Sequence, residues 1–125
     1  MSLLLDSSVL VQVLRKDAAA VSRLRDQVTP PLVSAISVDE IWFGAREKEV
    51  EATRALFEWL YVIPVGEPEA RLSAQWRRDY AGRGVTLEMP DTLIAATASL
   101  RGATLATGNV KHFPMAEVHV ERWPE

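Results

Sequence analysis

Short apolar segments alternate with longer segments of helical periodicity along this chain. Helices are predicted between the apolar segments, because apolar residues recur there at spacings of three and four. Strands that alternate with helices favour a parallel sheet covered by helices on both faces. We therefore predict an α/β fold, a three-layer αβα sandwich around a central, mainly parallel sheet of four to five strands. The predicted strands are residues 3–5, 32–34, 61–65 and 103–106, with 118–120 as a possible fifth.

The length and composition fit one globular domain over residues 1–125. Of the 125 residues, 48% are hydrophobic and 25% are charged, which suffices for a buried core. Cysteine is absent, so disulfides, thiolate nucleophiles and cysteine-based zinc sites are excluded. The formal charge of −3 argues only weakly against nucleic-acid binding, because acids around a metal are neutralised when it binds. Without a membrane-length apolar run or a basic leader, we expect a cytoplasmic protein that does not bind membranes.

Three carboxylates lie where a predicted strand or loop ends and a predicted helix begins. Asp6 ends the first apolar strand, Glu40 comes shortly after the second, and Asp91 opens an alanine-rich helix. The carboxyl ends of parallel strands form one edge of the sheet, and ligands bind at that edge. Carboxylates that converge there repel one another unless a cation is present. The sequence therefore predicts a metal site formed by Asp6, Glu40 and Asp91.

Each of these acids also has a purely structural interpretation. Asp6 and Asp91 could cap the helices that follow them, since aspartate is a common N-cap residue. The segment Ser37-Val38-Asp39-Glu40 matches a capping box, in which the glutamate bonds to the N–H of the cap residue. Taken separately, each acid leaves both interpretations open.

Small and polar residues near the acids are equally ambiguous. Gly44 and Ala95 each follow an acid by four residues, on the same helical face, where a small residue leaves room for a ligand or permits close helix packing. The loop Thr107-Gly108-Asn109 follows the fourth strand. It is either a simple turn or a source of hydroxyl and amide groups that hold water at the same sheet edge.

Four segments that contain these residues form a distinctive pattern along the chain. They are Asp6-Ser7-Ser8, Ser37-x-x-Glu40-Ile41-x-x-Gly44, Asp91-x-Leu93-Ile94-Ala95-Ala96-x-Ala98 and Thr107-x-Asn109-x-x-His112-Phe113. Together they resemble the PIN domain family, and within it the toxin ribonucleases of VapBC-type toxin–antitoxin pairs. The resemblance covers nearly the whole chain in the right order, and its last two segments are the most specific.

The resemblance implies a PIN-like αβα fold and an endoribonuclease that cleaves RNA with Mg²⁺ or Mn²⁺, as the toxin of a type II pair. By matching motif positions it implies that Asp6, Glu40 and Asp91 form the acidic, metal-binding centre. Asn109 falls where many members carry a fourth acid and many others carry asparagine, and we include it in the catalytic set. The resemblance also implies a homodimer and a cognate antitoxin that covers the acidic groove.

Four further residues are predicted to assist this site. We expect Ser7 and Thr107 to position water or phosphate, and Lys111 and His112 to contact RNA phosphates. The main alternative is a PIN-fold protein that binds RNA or protein with little or no turnover. A phosphotransfer receiver domain fits poorly, because the first strand is followed by one acid instead of two and residues 61–65 end without an aspartate.

Overall fold

Five parallel strands form the sheet at the centre of the molecule. They are β1 (Leu3–Leu5), β2 (Leu32–Ser34), β3 (Tyr61–Ile63), β4 (Thr104–Thr107) and β5 (Val120–Arg122). The computed structural model describes residues 2–124, and the strand order is β3-β2-β1-β4-β5 with every neighbouring pair parallel. This confirms the predicted α/β class and parallel sheet.

Six α-helices connect the strands and cover both faces of the sheet. They are α1 (Ser7–Leu14), α2 (Ala18–Arg25), α3 (Ala35–Gly44), α4 (Val50–Trp59), α5 (Glu67–Ala81) and α6 (Met89–Leu100), with 3-10 turns at Glu47–Glu49 and Val110–His112. Among residues 2–124, none of the helices is both long enough and apolar enough to cross a bilayer.

The bounds of several elements differ from those predicted. The third strand stops before Pro64, because proline lacks the N–H that a further ladder bond needs. The last two strands are shifted towards the C-terminus, since their bounds depend on pairing with β1 and β4. For β3 the predicted range 61–65 is observed as Tyr61–Ile63, and for β4 the predicted range 103–106 is observed as Thr104–Thr107. For β5 the predicted range 118–120 is observed as Val120–Arg122, and for α2 the predicted range 18–28 is observed as Ala18–Arg25.

The core lies in two layers, one on each face of the sheet. Successive strand residues point to opposite faces, so Leu4 belongs to one apolar cluster and Leu5 to the other. The first cluster contains the buried faces of α5 and α6, and the second contains those of α1, α2 and α4. Ala95 is fully buried in the first cluster. Its small side chain therefore serves close packing of α6, and the expectation that it clears space for a ligand is wrong.

Two helices begin before the predicted positions. Ser34, the last residue of β2, already caps α3 by accepting a hydrogen bond from Ile36 N at 3.1 Å. The predicted capping box at Ser37 is therefore wrong, and Glu40 lies in the second half of the helix. Helix α6 likewise begins at Met89, with Asp91 in its first turn instead of at the cap.

A C-terminal clasp, consisting of Arg23, Glu121 and Trp123, holds the end of the chain against α2. The guanidinium of Arg23 donates to Glu121 Oε2 at 2.7 Å and lies 4.5 Å from the centre of the Trp123 ring. The same carboxylate oxygen accepts from Trp123 Nε1 at 2.8 Å. The backbone N–H of Trp123 then donates to Thr107 O at 2.9 Å. The clasp thereby fixes the backbone beside the loop that follows β4.

We expect Gly108→Ala to destabilise the fold, because a Cβ at Gly108 would lie 3.2 Å from Trp123 O and 3.6 Å from Ser8 Oγ. The clasp resists the shift that would relieve this contact, so the loss should be about 1–3 kcal/mol in urea unfolding. Gly44→Ala is the matched control, since a Cβ there meets no atom within 4 Å and alanine suits a helical position. It should be neutral or stabilising by up to about 1 kcal/mol. Equal losses in both variants would contradict this account of Gly108.

Candidate active site

The predicted acids converge on one cavity at the carboxyl edge of the sheet. The cavity has a volume of about 370 Å³ and lies where the strand order changes direction between β1 and β4, the place where open α/β sheets bind ligands. All four predicted catalytic residues line it. Its lining residues are Asp6, Ser7, Ser8, Val11, Glu40, Glu88, Pro90, Asp91, Asn109 and His112.

Asp6 is buried, and two hydroxyl groups hold its carboxylate. Its backbone occupies the N-cap position of α1, but its side chain makes no capping hydrogen bond. Instead, Oδ2 accepts from Ser8 Oγ at 2.8 Å and from Thr107 Oγ1 at 2.7 Å. Among residues 2–124, Oδ1 accepts no such bond, so it is available to a ligand. The capping interpretation of the Asp6 side chain is therefore wrong.

Each of those hydroxyls is itself aligned by a backbone N–H from the loop after β4. Ser8 Oγ accepts from Gly108 N at 3.0 Å, and Thr107 Oγ1 accepts from Asn109 N at 2.9 Å. Each hydroxyl accepts one hydrogen bond from an amide and donates one to the carboxylate. Hydrogen bonds linked in this way polarise and strengthen one another. Thr107 is fully buried, so it supports the site by orienting Asp6 and does not reach water or phosphate as predicted. Ser8 has the same role and was not predicted.

Glu40 is exposed at the rim of the cavity and is oriented by Ser7. The Ser7 hydroxyl donates to Glu40 Oε1 at 2.6 Å and lies 2.8 Å from Ser37 Oγ. Ser37, which was predicted to cap a helix, is thus buried beneath Ser7. Gly44 lines a second cavity, between α1, α3 and α4, that Glu40 also lines, so Gly44 leaves space beside Glu40 but not beside Asp6 or Asp91.

Asp91 is the carboxylate whose protonation is most affected by its surroundings. Partial burial raises its pKa from the ordinary value of 3.8 to about 6, and the negative charges of Asp6, Glu40 and Glu88 contribute in the same direction. His112 opposes the rise in pKa, and its Nδ1 lies 3.4 Å from Asp91 Oδ2. The four acids are therefore electrostatically coupled, and a bound cation would relieve their repulsion.

Glu88 is a fourth acid of the cavity that the sequence analysis missed. It occupies the N-cap position of α6, three residues before Asp91. Placing the start of the helix at Met89, where Pro90 suits the first turn, would have identified it. Glu88 is exposed, so it adds negative charge at the mouth of the cavity.

The chemistry of these donors suits a hard divalent cation. Carboxylate and amide oxygens are the ligands that Mg²⁺ and Mn²⁺ prefer. Within residues 2–124, however, no three histidine or acidic side chains are arranged as a ready-made metal cage. An open arrangement still fits Mg²⁺, because this ion keeps several of its waters and takes only one or two carboxylates. The residues present therefore fit such an ion.

The two predicted RNA contacts lie on the 3-10 turn that follows Asn109. His112 lines the acidic cavity, whereas Lys111 lines an adjoining cavity of about 250 Å³ on the other side of the turn. The structure thus brings His112 to the acids and separates Lys111 from them.

Comparison with known proteins gives one consistent result. The family model of the PIN domain matches residues 3–117. Ribonuclease VapC10 of Mycobacterium tuberculosis is 37% identical over 119 residues, which cover 92% of this chain and 88% of that protein. DNA-bound VapBC from Salmonella typhimurium has a TM-score of 0.89 at 21% identity, over 98% of each chain. A toxin–antitoxin complex from Klebsiella pneumoniae has a TM-score of 0.78 at 28% identity, over 94% of this chain and 95% of that chain.

These matches agree with the strand order and with the acids at the carboxyl edge. The family model spans nearly the whole chain, and the Mycobacterium relative is similar over most of its length. The predicted αβα fold is the fold of these neighbours. The chain therefore belongs to the PIN domain family.

Proposed function

We propose that this protein is an endoribonuclease that hydrolyses RNA phosphodiester bonds with Mg²⁺ or Mn²⁺. The observation that carries the proposal is the convergence of Asp6, Glu40, Asp91 and Asn109 on one cavity. The 37%-identical relative, named a ribonuclease, supports RNA as the substrate. A cluster of carboxylates on its own would repel a phosphodiester, so its use in such a reaction requires a cation.

Asp6 and Asp91 would hold the cation. A divalent ion there would supply Lewis-acid stabilisation of the phosphoryl group and activate water. Asp6 is suited to binding because Ser8 and Thr107 fix one carboxylate oxygen and leave the other available. Asp91 is suited because its raised pKa reflects a carboxylate that gains from a neighbouring positive charge.

Glu40 and Asn109, which both line the cavity, would act on the reacting groups. The Ser7 hydroxyl holds Glu40 Oε1, which leaves Oε2 to orient the attacking water. Asn109 presents a neutral amide that can donate to a phosphoryl oxygen or accept from water. His112, beside Asp91, is placed to donate to a phosphate. Positioning of this kind accounts for much of the rate gain in phosphoryl transfer.

RNA cleavage should depend on the charge of Asp6. We expect Asp6→Asn to lower cleavage of labelled structured RNA by about 100-fold or more, a loss typical of removing one transition-state contact. Asparagine keeps the shape of the side chain and removes its charge. Asp39→Asn, an exposed acid of α3 outside the cavity, is the matched control and should cleave like wild type.

The same assay separates the ribonuclease from its main alternative. Wild type should cleave in Mg²⁺ and stop in EDTA, and equal cleavage by the Asp6→Asn preparation would indicate a contaminating nuclease. Wild-type protein that binds RNA but leaves it intact in Mg²⁺ and in Mn²⁺ would refute the proposal in favour of a binding module.

Metal binding should stabilise the fold in a pH-dependent way. The folded pKa of Asp91 is about 6 and its ordinary value is 3.8, so metal-free protein loses stability as pH rises between these values. Above about pH 6 the carboxylate is charged and can bind Mn²⁺. At about 100 times its Kd, Mn²⁺ adds about 2.7 kcal/mol, which corresponds to a Tm increase of about 10 °C for a domain of this size.

Thermal unfolding with and without Mn²⁺ at pH 7.5 and pH 5 tests this expectation. The free energy that Mn²⁺ adds should be about half as large at pH 5 as at pH 7.5, because protonation of Asp91, with its pKa of about 6, weakens the apparent affinity about tenfold at pH 5. Asp91→Asn should reduce it at pH 7.5 as well. An unchanged Tm in wild type at saturating Mn²⁺, at both pH values, would contradict metal binding at this site.

We infer that the protein is the toxin of a type II pair and forms a homodimer. The 28%-identical Klebsiella relative, described as part of a toxin–antitoxin complex, supports an antitoxin partner. Three exposed aromatic side chains on α3 and α4, here called the apolar patch, support protein contacts, because exposed apolar surface that clusters is usually covered by a partner. Its members are Trp42, Phe43 and Trp59, which are 36%, 93% and 41% exposed.

Sedimentation equilibrium should show a dimer that depends on this apolar patch. We expect Phe43→Ser to weaken dimerisation about tenfold or more, as for a buried aromatic anchor. Val28→Ser is the matched control, because Val28 is 99% exposed in the loop after α2, outside both α3 and α4. A monomeric wild type would contradict the homodimer.

Co-expression with the product of the adjacent gene tests the antitoxin. Unchanged RNA cleavage by the co-purified protein would contradict an antitoxin role for that product.

A further inference from the structure

A basic cavity adjoins the acidic cavity across the turn at Val110–His112. It has a volume of about 250 Å³ and is lined by Gly108, Asn109, Val110, Lys111, His112 and Arg122. We propose that this basic cavity binds a phosphodiester group of the RNA strand next to the group that is cleaved. The proposal rests on the proposed function, which it deepens by adding Arg122 and a second phosphate position.

The charge of the cavity points to an anionic ligand. Among residues 2–124, its six lining residues include no acid, although the chain as a whole carries a formal charge of −3. Lys111 and Arg122 supply two positive charges, and His112 supplies an imidazole. Within residues 2–124, neither Lys111 nor Arg122 forms an ion pair, in contrast to Arg23 and Arg54. Both charges are therefore available to a ligand.

The geometry of Arg122 suits phosphate. One guanidinium nitrogen, Nη1, donates to Gly108 O at 3.4 Å, which orients the side chain over the loop after β4. A guanidinium has five N–H donors in a planar fork, so most of them stay available for two-point binding of phosphate oxygens. Lys111, which lines the same cavity, adds a flexible point charge. A cavity with these two donors recognises a tetrahedral anion better than a planar base.

The shared residues place this cavity on the path of one RNA strand. Asn109 and His112 line both the basic and the acidic cavity, and His112 Nδ1 lies 3.4 Å from Asp91 Oδ2. A strand that crosses this turn would present neighbouring phosphates to the two cavities. The positive charges of Lys111 and Arg122 offset part of the Coulomb repulsion between the acids and RNA, and each phosphate contact also releases counterions. The basic cavity would thereby hold the strand in one register.

Binding of a short fluorescein-labelled single-stranded RNA tests the proposal directly. The protein is kept in EDTA, where cleavage cannot occur, and Kd is measured over a range of salt concentrations. Each phosphate contact contributes a slope of about 0.7 for single strands, so Lys111→Gln/Arg122→Gln should lower the slope by about 1.4. If the double variant and wild type bind equally at about 1 M salt, the double variant should therefore bind about 25-fold more weakly than wild type at about 0.1 M. The matched control is Lys48→Gln/Arg101→Gln, which removes the same two charges outside both cavities and should bind like wild type.

A second variant separates the charge of Arg122 from its contact with Gly108. Arg122→Lys keeps the positive charge and loses the guanidinium fork, so it should recover most of the salt slope that Arg122→Gln loses. If Arg122→Lys binds as weakly as Arg122→Gln, Arg122 acts through the loop and the phosphate assignment is overturned. Equal binding by the double variant and its matched control overturns the proposal as well.

Cleavage and competition assays complete the test. In Mg²⁺, the double variant should lower kcat/KM by about the same factor as it weakens binding. A wild type that cleaves, with kcat/KM unchanged in the double variant, overturns this subsite alone. A wild type that does not cleave, with binding weakened only in the double variant, refutes the proposed function and leaves the subsite supported. Inorganic phosphate and AMP should compete weakly, and competition as strong as that of RNA would assign the cavity to a free phosphate and overturn the strand proposal.

Discussion

The buried carboxylate of Asp6 is the contact on which the rest of the site depends. A charged group that is 4% exposed is costly unless hydrogen bonds satisfy it, and here Ser8 and Thr107 donate to the same oxygen. These bonds join the start of α1 to the end of β4, which are adjacent at the point where the strand order changes direction. The C-terminal clasp holds the same loop from the other side through Thr107 O. The orientation of one carboxylate is thus set by elements from both ends of the chain.

The electrostatics of this edge combine two opposite fields. Partial burial, together with the neighbouring acids, raises the pKa of Asp91 and disfavours the fold when no cation is present, a cost typical of functional sites. The cations Lys111 and Arg122, which form no ion pair within residues 2–124, line the adjoining cavity with Asn109 and His112. A site that needs both a cation and a polyanion benefits from this arrangement, because the acids attract the cation and the basic side attracts the strand.

Much of the fold could be predicted from periodicity, because parallel strands buried on both faces appear as short apolar segments between helices. Element boundaries could not. Ser34 caps α3 from the end of a strand, and Glu88 occupies the N-cap position of α6. Glu40 and Asp91 therefore lie inside their helices. The observed starts of α3 and α6 therefore exclude the interpretation of Glu40 and Asp91 as capping residues. Ser8 escaped prediction because a serine after an aspartate has no signal of its own until the loop after β4 lies beside it.

By itself, the sequence determined that Asp6 would lie at the carboxyl edge of a parallel sheet, because it directly follows the first strand, whereas Glu40 and Asp91 reach the same cavity from inside α3 and α6. It also carried the family resemblance, because the motifs are local. Only the tertiary structure decided what each polar residue does there. Residues about a hundred positions apart, such as Asp6 and Thr107, share a hydrogen bond, while of the sequence neighbours Lys111 and His112 only His112 reaches the acidic cavity. These outcomes depend on strand register and turn geometry, which arise from contacts distant in the chain.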